Sequence, residues 1–396
     1  MRKYEIPARA TELKAAALEQ IYTKQLQVIQ DSDGPVFFIA GWYPGVWLEQ
    51  TYDAVEWAIL SGDTSVAHNQ IGLYFKHQRP DGHIPLNVTH SSVSFRQIQE
   101  GMALGRLCLD VFRMDGDRAF LETAYRAISA WDGWLVANRM PNGLGLIEMY
   151  CGFGTGHDES GRFLGVKYPH NVSSEAADLP EGCPVFPGVA PDMNAVFFGN
   201  REALAEMAAI LGKPEEAAAW QVKAEDVRRR MLELLWDEED EFFYDLDKFG
   251  NKRKVLSISV TNVLTERVPD QAMADRIFQR HLWNEKEFRT PYAFPAVAIS
   301  DPTWLKNRTG NSWGYYSQGQ TILRAFRWMP HYGWQDEHRQ LLEIWLRAYC
   351  DSFDKLPFGQ EFDPITGEPS EAAPWYSSAM LLVLRAIDEL ERANQD

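Results

Sequence analysis

The sequence predicts an all-α chain folded as an (α/α)6 barrel, six inner helices ringed by six outer ones, with long loops and a short β-hairpin beside the helices. Three observations lead there. Apolar residues recur at helical spacing through most of the 396 residues. Short Gly, Asp and Pro clusters part the periodic segments into pairs. The segments number twelve, which is what a six-hairpin toroid requires.

Taken in order, the expected helices are 9–30, 46–60, 64–77, 97–113, 118–138, 193–211, 214–235, 256–265, 268–282, 315–329, 335–352 and 376–393. Met193, Phe197, Leu204, Met207, Ala208 and Leu211 share one helical face, and Gly212-Lys213-Pro214 supplies the stop. Met380, Val383, Leu384 and Ile387 repeat the pattern near the C-terminus. Ser61-Gly62-Asp63 and Met114-Asp115-Gly116-Asp117 each turn the chain between two helical patterns. The longest irregular stretches, 78–96, 139–192, 284–314 and 353–375, fall between helices; long loops in a compact domain usually carry function. The hairpin is expected from Phe242-Phe243-Tyr244-Asp245 to Lys254-Val255. No low-complexity or Ser-rich linker interrupts the pattern, so residues 1–396 are expected to form a single catalytic domain.

A formal net charge of −17 excludes the basic footprint that nucleic acid or an anionic membrane surface needs. No apolar run of membrane-spanning length occurs, and the basic residues of the first nine positions have no apolar segment behind them, so a cytoplasmic protein is expected. Cys108, Cys151, Cys183 and Cys350 lack CxxC or Cys/His spacing and read as core residues. Neither a metal nor a cofactor is expected. Fourteen tryptophans fit either a large helical core or sugar binding, where the flat apolar face of a pyranose rests on indole.

Two glycine-framed carboxylate loops carry the chemistry. Gly152-Phe153-Gly154-Thr155-Gly156-His157-Asp158-Glu159-Ser160-Gly161-Arg162 is one, and Gly359-Gln360-Glu361-Phe362-Asp363-Pro364-Ile365-Thr366-Gly367-Glu368 is the other. A pair of carboxyl groups, one protonated and one ionised, is what glycoside hydrolysis needs. Glu49 and Asp53, four apart, share a face at the start of an inner helix, where they can grip sugar hydroxyls or simply favour the helix N-terminus. His157 and His170 are lone loop histidines without metal spacing, and Asp245 to Asn251 begins like a calcium loop but has Phe249 where an oxygen ligand belongs.

These residues resemble the six-hairpin glycosidases of the trehalase, processing α-glucosidase I and mannosylglycerate hydrolase clan over most of the chain. Trp47-Leu48-Glu49-Gln50-Thr51-Tyr52 stands at the family's aromatic-Trp-Asp motif, with Glu in place of the usual Asp, and Gln97-Ile98-Gln99-Glu100 at its Gln-x-Pro helix start. Thr155 to Arg162 is similar to its Ser-Gly-x-Asp-x-Ser-x-Arg, and Asp192-Met193-Asn194-Ala195 to its Asp-Leu-Asn. Arg308-Thr309-Gly310-Asn311-Ser312-Trp313 is an altered form of its Arg-Gly-Pro-x-Trp, and Glu361-Phe362-Asp363-Pro364-Ile365-Thr366-Gly367 resembles its Glu-Tyr-x-Pro-x-Thr-Gly. The resemblance implies an inverting, exo-acting α-glycoside hydrolase for a small soluble glycoside, with Asp158 the general acid and Glu361 the general base. It also implies that Glu49 grips sugar hydroxyls. Trp47, Asp53, Gln99, Arg162, Asn194, Trp313 and Trp375 are the other pocket candidates; Arg162 equally suits a loop anchor, and each tryptophan a core position. Arg289 and Arg308 are placed to meet an anionic aglycone or to sit in structural ion pairs.

Two rivals remain open. A sugar isomerase or epimerase on the same barrel would use histidine pairs as acid and base, yet the nine histidines are scattered. A non-catalytic sugar-binding toroid would bind without releasing free sugar.

Overall fold

A computed structural model describes residues 2–40, 43–95, 98, 100–163, 185–304 and 312–395. Among them are twelve α-helices: α1 Ala10–Gln20, α2 Thr51–Ser61, α3 Ser65–Lys76, α4 Leu104–Asp115, α5 Arg118–Arg139, α6 Pro191–Ile210, α7 Pro214–Leu234, α8 Val260–Thr265, α9 Gln271–Ile277, α10 Gly319–Trp328, α11 Gln335–Ser352 and α12 Ser377–Gln395. Each answers to one of the periodic segments, and the differences lie at the starts and ends.

Helix α1 runs into a π-type turn, Ile21–Gln25, and Leu26–Gln27 then pairs antiparallel with Val36–Phe37. Helix α2 begins at Thr51, later than its periodicity suggests, because Val46–Trp47 is held in a ladder with Asn87–Val88. Helix α4 waits until Leu104: the buried Glu100 carboxylate accepts from its amide at 2.8 Å, and the Ala103 amide donates to Glu266 at 2.9 Å. These side chains satisfy amides that the first turn of a helix leaves without intrahelical partners. The expected hairpin is present as two short antiparallel ladders, Trp236–Asp237 with Phe242–Phe243 and Asp245–Leu246 with Lys252–Arg253. Strands are short throughout the described residues and close no sheet.

The even-numbered helices form a closed ring, α2 packing on α4, α4 on α6, α6 on α8, α8 on α10, α10 on α12 and α12 back on α2. Odd-numbered helices lie outside it: α3 and α5 cover α4, α7 covers α6, and α1 and α11 cover α12. This is an (α/α)6 barrel. Its filling includes Trp131, Trp328, Trp345, Tyr52, Phe197 and Phe198, each at most 1% exposed.

The connections are unequal. Turns from an inner helix to the next outer one are short, 62–64, 116–117, 211–213, 266–270 and 329–334, whereas those from an outer helix to the next inner one are long, 21–50, 77–103, 140–190, 235–259, 278–318 and 353–376. Short turns make antiparallel hairpins, so the inner helices run parallel and all long connections collect at their N-terminal ends. Among the described residues no helix is long and apolar enough to cross a membrane.

Candidate functional site

A pocket with about 70 Å³ of interior space, about 430 Å³ when the adjoining solvent is counted, opens at the long-connection end. The connection before α2 supplies Ile39, Tyr43, Trp47, Glu49 and Gln50. Gly156 and Asp158 come from the connection before α6, Trp313 from that before α10, and Gln360 and Tyr376 from that before α12; Gln320 stands in the first turn of α10. Two indoles and several convergent polar groups therefore face one cavity.

Asp158 and Glu361, from distant parts of the chain, are linked through the consecutive amides of Trp313 and Ser312, although only Asp158 lines the pocket, beside Gln360. Asp158 lines the pocket, and its carbonyl accepts from the Trp313 amide at 2.9 Å. Glu361, fully buried, pairs with Gln318 across a short antiparallel ladder. Its Oε2 accepts from the Gln318 carboxamide and, at 3.2 Å, from the Ser312 amide, while Oε1 accepts from Ser370 Oγ at 2.7 Å. The phenol of Tyr43 reports the convergence. It is pushed up to about 12, first by burial and then by the negative charges of Asp158, Glu361 and Glu49, and so stays a hydrogen-bond donor.

Glu49 lies in the pocket wall, 6% exposed, accepting from Gln320 Nε2 at 2.7 Å and from the Arg324 guanidinium at 3.1 Å. Burial raises its pKa, and the Arg324 charge and these hydrogen bonds oppose the rise. Gly156 makes room for it: the residue has φ +78°, and a Cβ there would stand 2.5 Å from Glu49 Cδ. Tyr376 donates to Gln320 Oε1 at 3.2 Å and accepts from Gln50 at 3.4 Å, so Gln50, Tyr376, Gln320, Glu49 and Arg324 are one hydrogen-bonded chain along the wall.

The other candidates divide. Trp47 and Trp313 line the pocket, and Trp47 Nε1 is buried with no hydrogen-bond partner among the described residues. Asp53 turns away from it. Its carboxylate accepts from Ser377 and Ser378, clamping α2 to the start of α12, and burial lifts it to about 6. Arg162, 1% exposed, donates to Asp192 at 2.8 Å, Asp245 at 3.0 Å and Thr155 at 3.0 Å, which bolts the Asp158 loop to the start of α6 and to the hairpin. Asn194 spends its amide on Ile147 and the Ala190 carbonyl. Trp375 has φ +57° and packs its ring on Phe358, leaving the pocket to its neighbour Tyr376. Arg289 lies over the Trp283 ring at 4.4 Å. Gln99, His170, Cys183 and Arg308 lie outside the described residues.

The calcium-like loop is a turn in which Asp247 accepts from the Phe249 and Asn251 amides, both at 2.9 Å. Among the described residues no group of three or more His, Cys, Asp or Glu is placed to hold a metal ion. Tyr43, Gln50, Gln320, Gln360 and Tyr376 escape sequence reasoning, since each carries an ordinary residue type and meets the site only through the fold.

The sequence model of the mannosylglycerate hydrolase MGH1-like glycoside hydrolase domain matches residues 43–378. The chain belongs to this glycoside hydrolase family. Among solved structures this family member is similar to a GH63 mannosylglycerate hydrolase from Thermus thermophilus in complex with Tris, with 20% identity, a TM-score of 0.75, and 94% of this chain and 99% of that one covered. The neutral trehalase of Saccharomyces cerevisiae gives 15% identity and a TM-score of 0.70 over 98% of this chain and 82% of that one. Both share its fold as six-hairpin glycosidases. Among curated relatives, a Bombyx mori trehalase is 43% identical over 61 residues, 15% of this chain, and a Borreliella burgdorferi protein 25% identical over 135 residues, 34% of this chain. The matches span only 10% and 27% of those two relatives' lengths.

Proposed function

We propose that the protein is an inverting, exo-acting α-glycosidase of a small soluble glycoside, an α-glucoside such as a disaccharide or a glucosyl- or mannosyl-glycerate, and that the whole chain acts as one catalytic domain. The observation that carries this reading is the approach of Asp158 and Glu361 to consecutive backbone amides, those of Trp313 and Ser312, at the pocket end of the barrel. In the proposed reaction the Asp158 carboxyl gives its proton to the glycosidic oxygen as the bond from that oxygen to the anomeric carbon breaks. A water adds to the opposite face of the anomeric carbon, and Glu361 takes its proton. The products are the free sugar with inverted configuration and the alcohol, and proton transfer between the two carboxyl groups through solvent restores the starting state.

Several features support these roles. Three donors fix the Glu361 oxygens, as suits a carboxylate that must hold a water in one direction. Trp47 and Trp313 offer apolar faces to a pyranose, and the buried Trp47 N–H and the Glu49 carboxylate suit its hydroxyls. Solved mannosylglycerate hydrolase complexes with glucose and with Tris and D-glycerate share this fold, which is why a glyceric-acid aglycone stands beside a disaccharide in the proposal. A small soluble substrate suits a cytoplasmic enzyme.

Proton NMR tests the stereochemistry. Hydrolysis of an α-glycoside is expected to release the β-anomer first, with the α-anomer growing in only by mutarotation. Initial release of the α-anomer removes the inverting assignment, and conversion of a free sugar to its isomer without hydrolysis points to an isomerase.

A further inference from the structure

His157 is a buried histidine next to Asp158 to which the proposed mechanism gives no task. Its ring, 2% exposed, lies on the Trp313 indole with centroids 4.0 Å apart and planes 15° from parallel. Trp313 turns toward the pocket, and its amide donates to the Asp158 carbonyl at 2.9 Å. The amide immediately before it, that of Ser312, donates to Glu361 at 3.2 Å. Two consecutive amides thus reach the two carboxylate residues, one each, and the His157 ring backs the strap that carries them. The imidazole is kept neutral, its pKa held well below the ordinary value by burial and then by the Arg162 and Arg324 charges. Its Nδ1 is 3.7 Å from Asp192 and makes no hydrogen bond among the described residues. One flat face of the ring is thus in contact with Trp313.

We propose that His157 is a positioning residue, which by stacking on Trp313 holds the Ser312–Trp313 strap and so sets the general acid Asp158 at its distance from the base Glu361. The inference rests on the acid and base assignment above. It separates His157 from a packing residue by the step it affects: Glu361 keeps Gln318 and Ser370 when the strap shifts, whereas a displaced acid harms only reactions whose leaving group needs a proton.

The experiment compares an alkyl glycoside with the glycosyl fluoride of the same sugar, since fluoride departs without protonation. His157→Ala is expected to lower kcat for the alkyl glycoside by about 10- to 100-fold, the cost of a misplacement of roughly 1 Å, and for the fluoride by less than about threefold. His157→Phe, which keeps a flat ring on Trp313, is expected to restore most of the alkyl glycoside rate. Should the alanine variant not fold, His157→Leu fills the space without a planar face and carries the same expectation. Asp158→Asn is measured alongside. If it lowers both substrates equally, the acid assignment fails; if it splits them and His157→Ala does not, this inference alone is overturned.

Discussion

Carboxylates at the pocket end of the ring differ from those deeper within it in what they face. At the pocket, Asp158 and Glu49 line the cavity, and a backbone amide, a carboxamide and a hydroxyl are among the groups that hold Glu361. Deeper, toward the last turn of α10 and the end of α8, guanidinium groups do the work. Arg385 meets Glu56 at 3.3 Å, Arg327 meets Asp110, and Arg106 meets Glu266 at 2.8 Å and also Glu202. A carboxylate that lines a cavity can offer its oxygens to a ligand, whereas a buried ion pair commits one to structure. Glu49 stands between the two regimes, one Oε1 shared by Gln320 and Arg324 while the side chain still lines the cavity. One end of the ring thus leaves carboxylates facing a cavity, and the other ties them into the fold.

Breaking the pocket end should cost turnover and spare stability. Asp158→Asn and Glu361→Gln, both nearly isosteric, are each expected to lower kcat by about 100-fold or more, roughly the contribution of acid–base catalysis, with the melting temperature little changed. A variant of either that keeps more than about a tenth of the wild-type rate removes that residue from the mechanism.

The converse applies to the deep ring. Arg106→Ala leaves Glu266, its side chain 1% exposed, without its guanidinium partner. Stranding a buried charge in this way costs about 3–5 kcal/mol, several degrees in melting temperature, while kcat/KM measured well below that temperature is expected to hold. An unchanged melting temperature with a large kinetic defect would contradict the division between the two ends.

Glu49→Ala and Trp313→Ala sharpen the boundary. Each is expected to weaken a bound monosaccharide product by about tenfold, roughly 1.4 kcal/mol, and to lower kcat/KM; Glu49→Ala also strands Arg324 and so lowers the melting temperature. Equal product affinity by calorimetry in wild type and both variants assigns the two residues to packing alone.

The smallest effect concerns Asp53. Its pKa is raised from 3.8 in the free side chain to about 6 in the fold, so the folded state binds its proton more tightly than the unfolded chain does. That stabilisation is complete below about pH 4 and is lost as the pH rises through about 6. Asp53→Asn should therefore compare more favourably with wild type at about pH 8 than at about pH 4 in urea unfolding. A difference between the two proteins that does not vary with pH would show that the Asp53 pKa is the same in both states.

The twelve helices were legible because each buries a stripe of apolar residues, a local and periodic signal. Their starts were less so. Helices α2 and α4 are delayed by the pairing of Trp47 with Asn87 and by the bond from the Ala103 amide to Glu266, partners that lie dozens of residues apart in sequence. In the site, the glycine-framed loops around Asp158 and Glu361 stood out because their spacing is unusual between helices. Asp53 and Asn194 share the same motifs, yet hydrogen bonds to Ser377, Ser378 and Ile147 occupy them, and nothing local distinguishes such a residue from one that faces a ligand. Gln320 and Tyr376 were hidden for the opposite reason, since they meet each other and Glu49 only when the ring has closed.

That closure also sets an order of events during synthesis. A chain made from its N-terminus completes α2 hundreds of residues before α12, the helix that seats α2 through Ser377, Ser378 and Arg385. Until α12 leaves the ribosome, the face of α2 bearing Asp53 and Glu56 has no permanent cover, and contacts so distant in sequence form slowly. A nascent chain stopped before residue 377 would hold five inner helices in an open arc, with both carboxylate loops already made and the Tyr376 wall just emerging, and a competent pocket would appear only with the final helical hairpin.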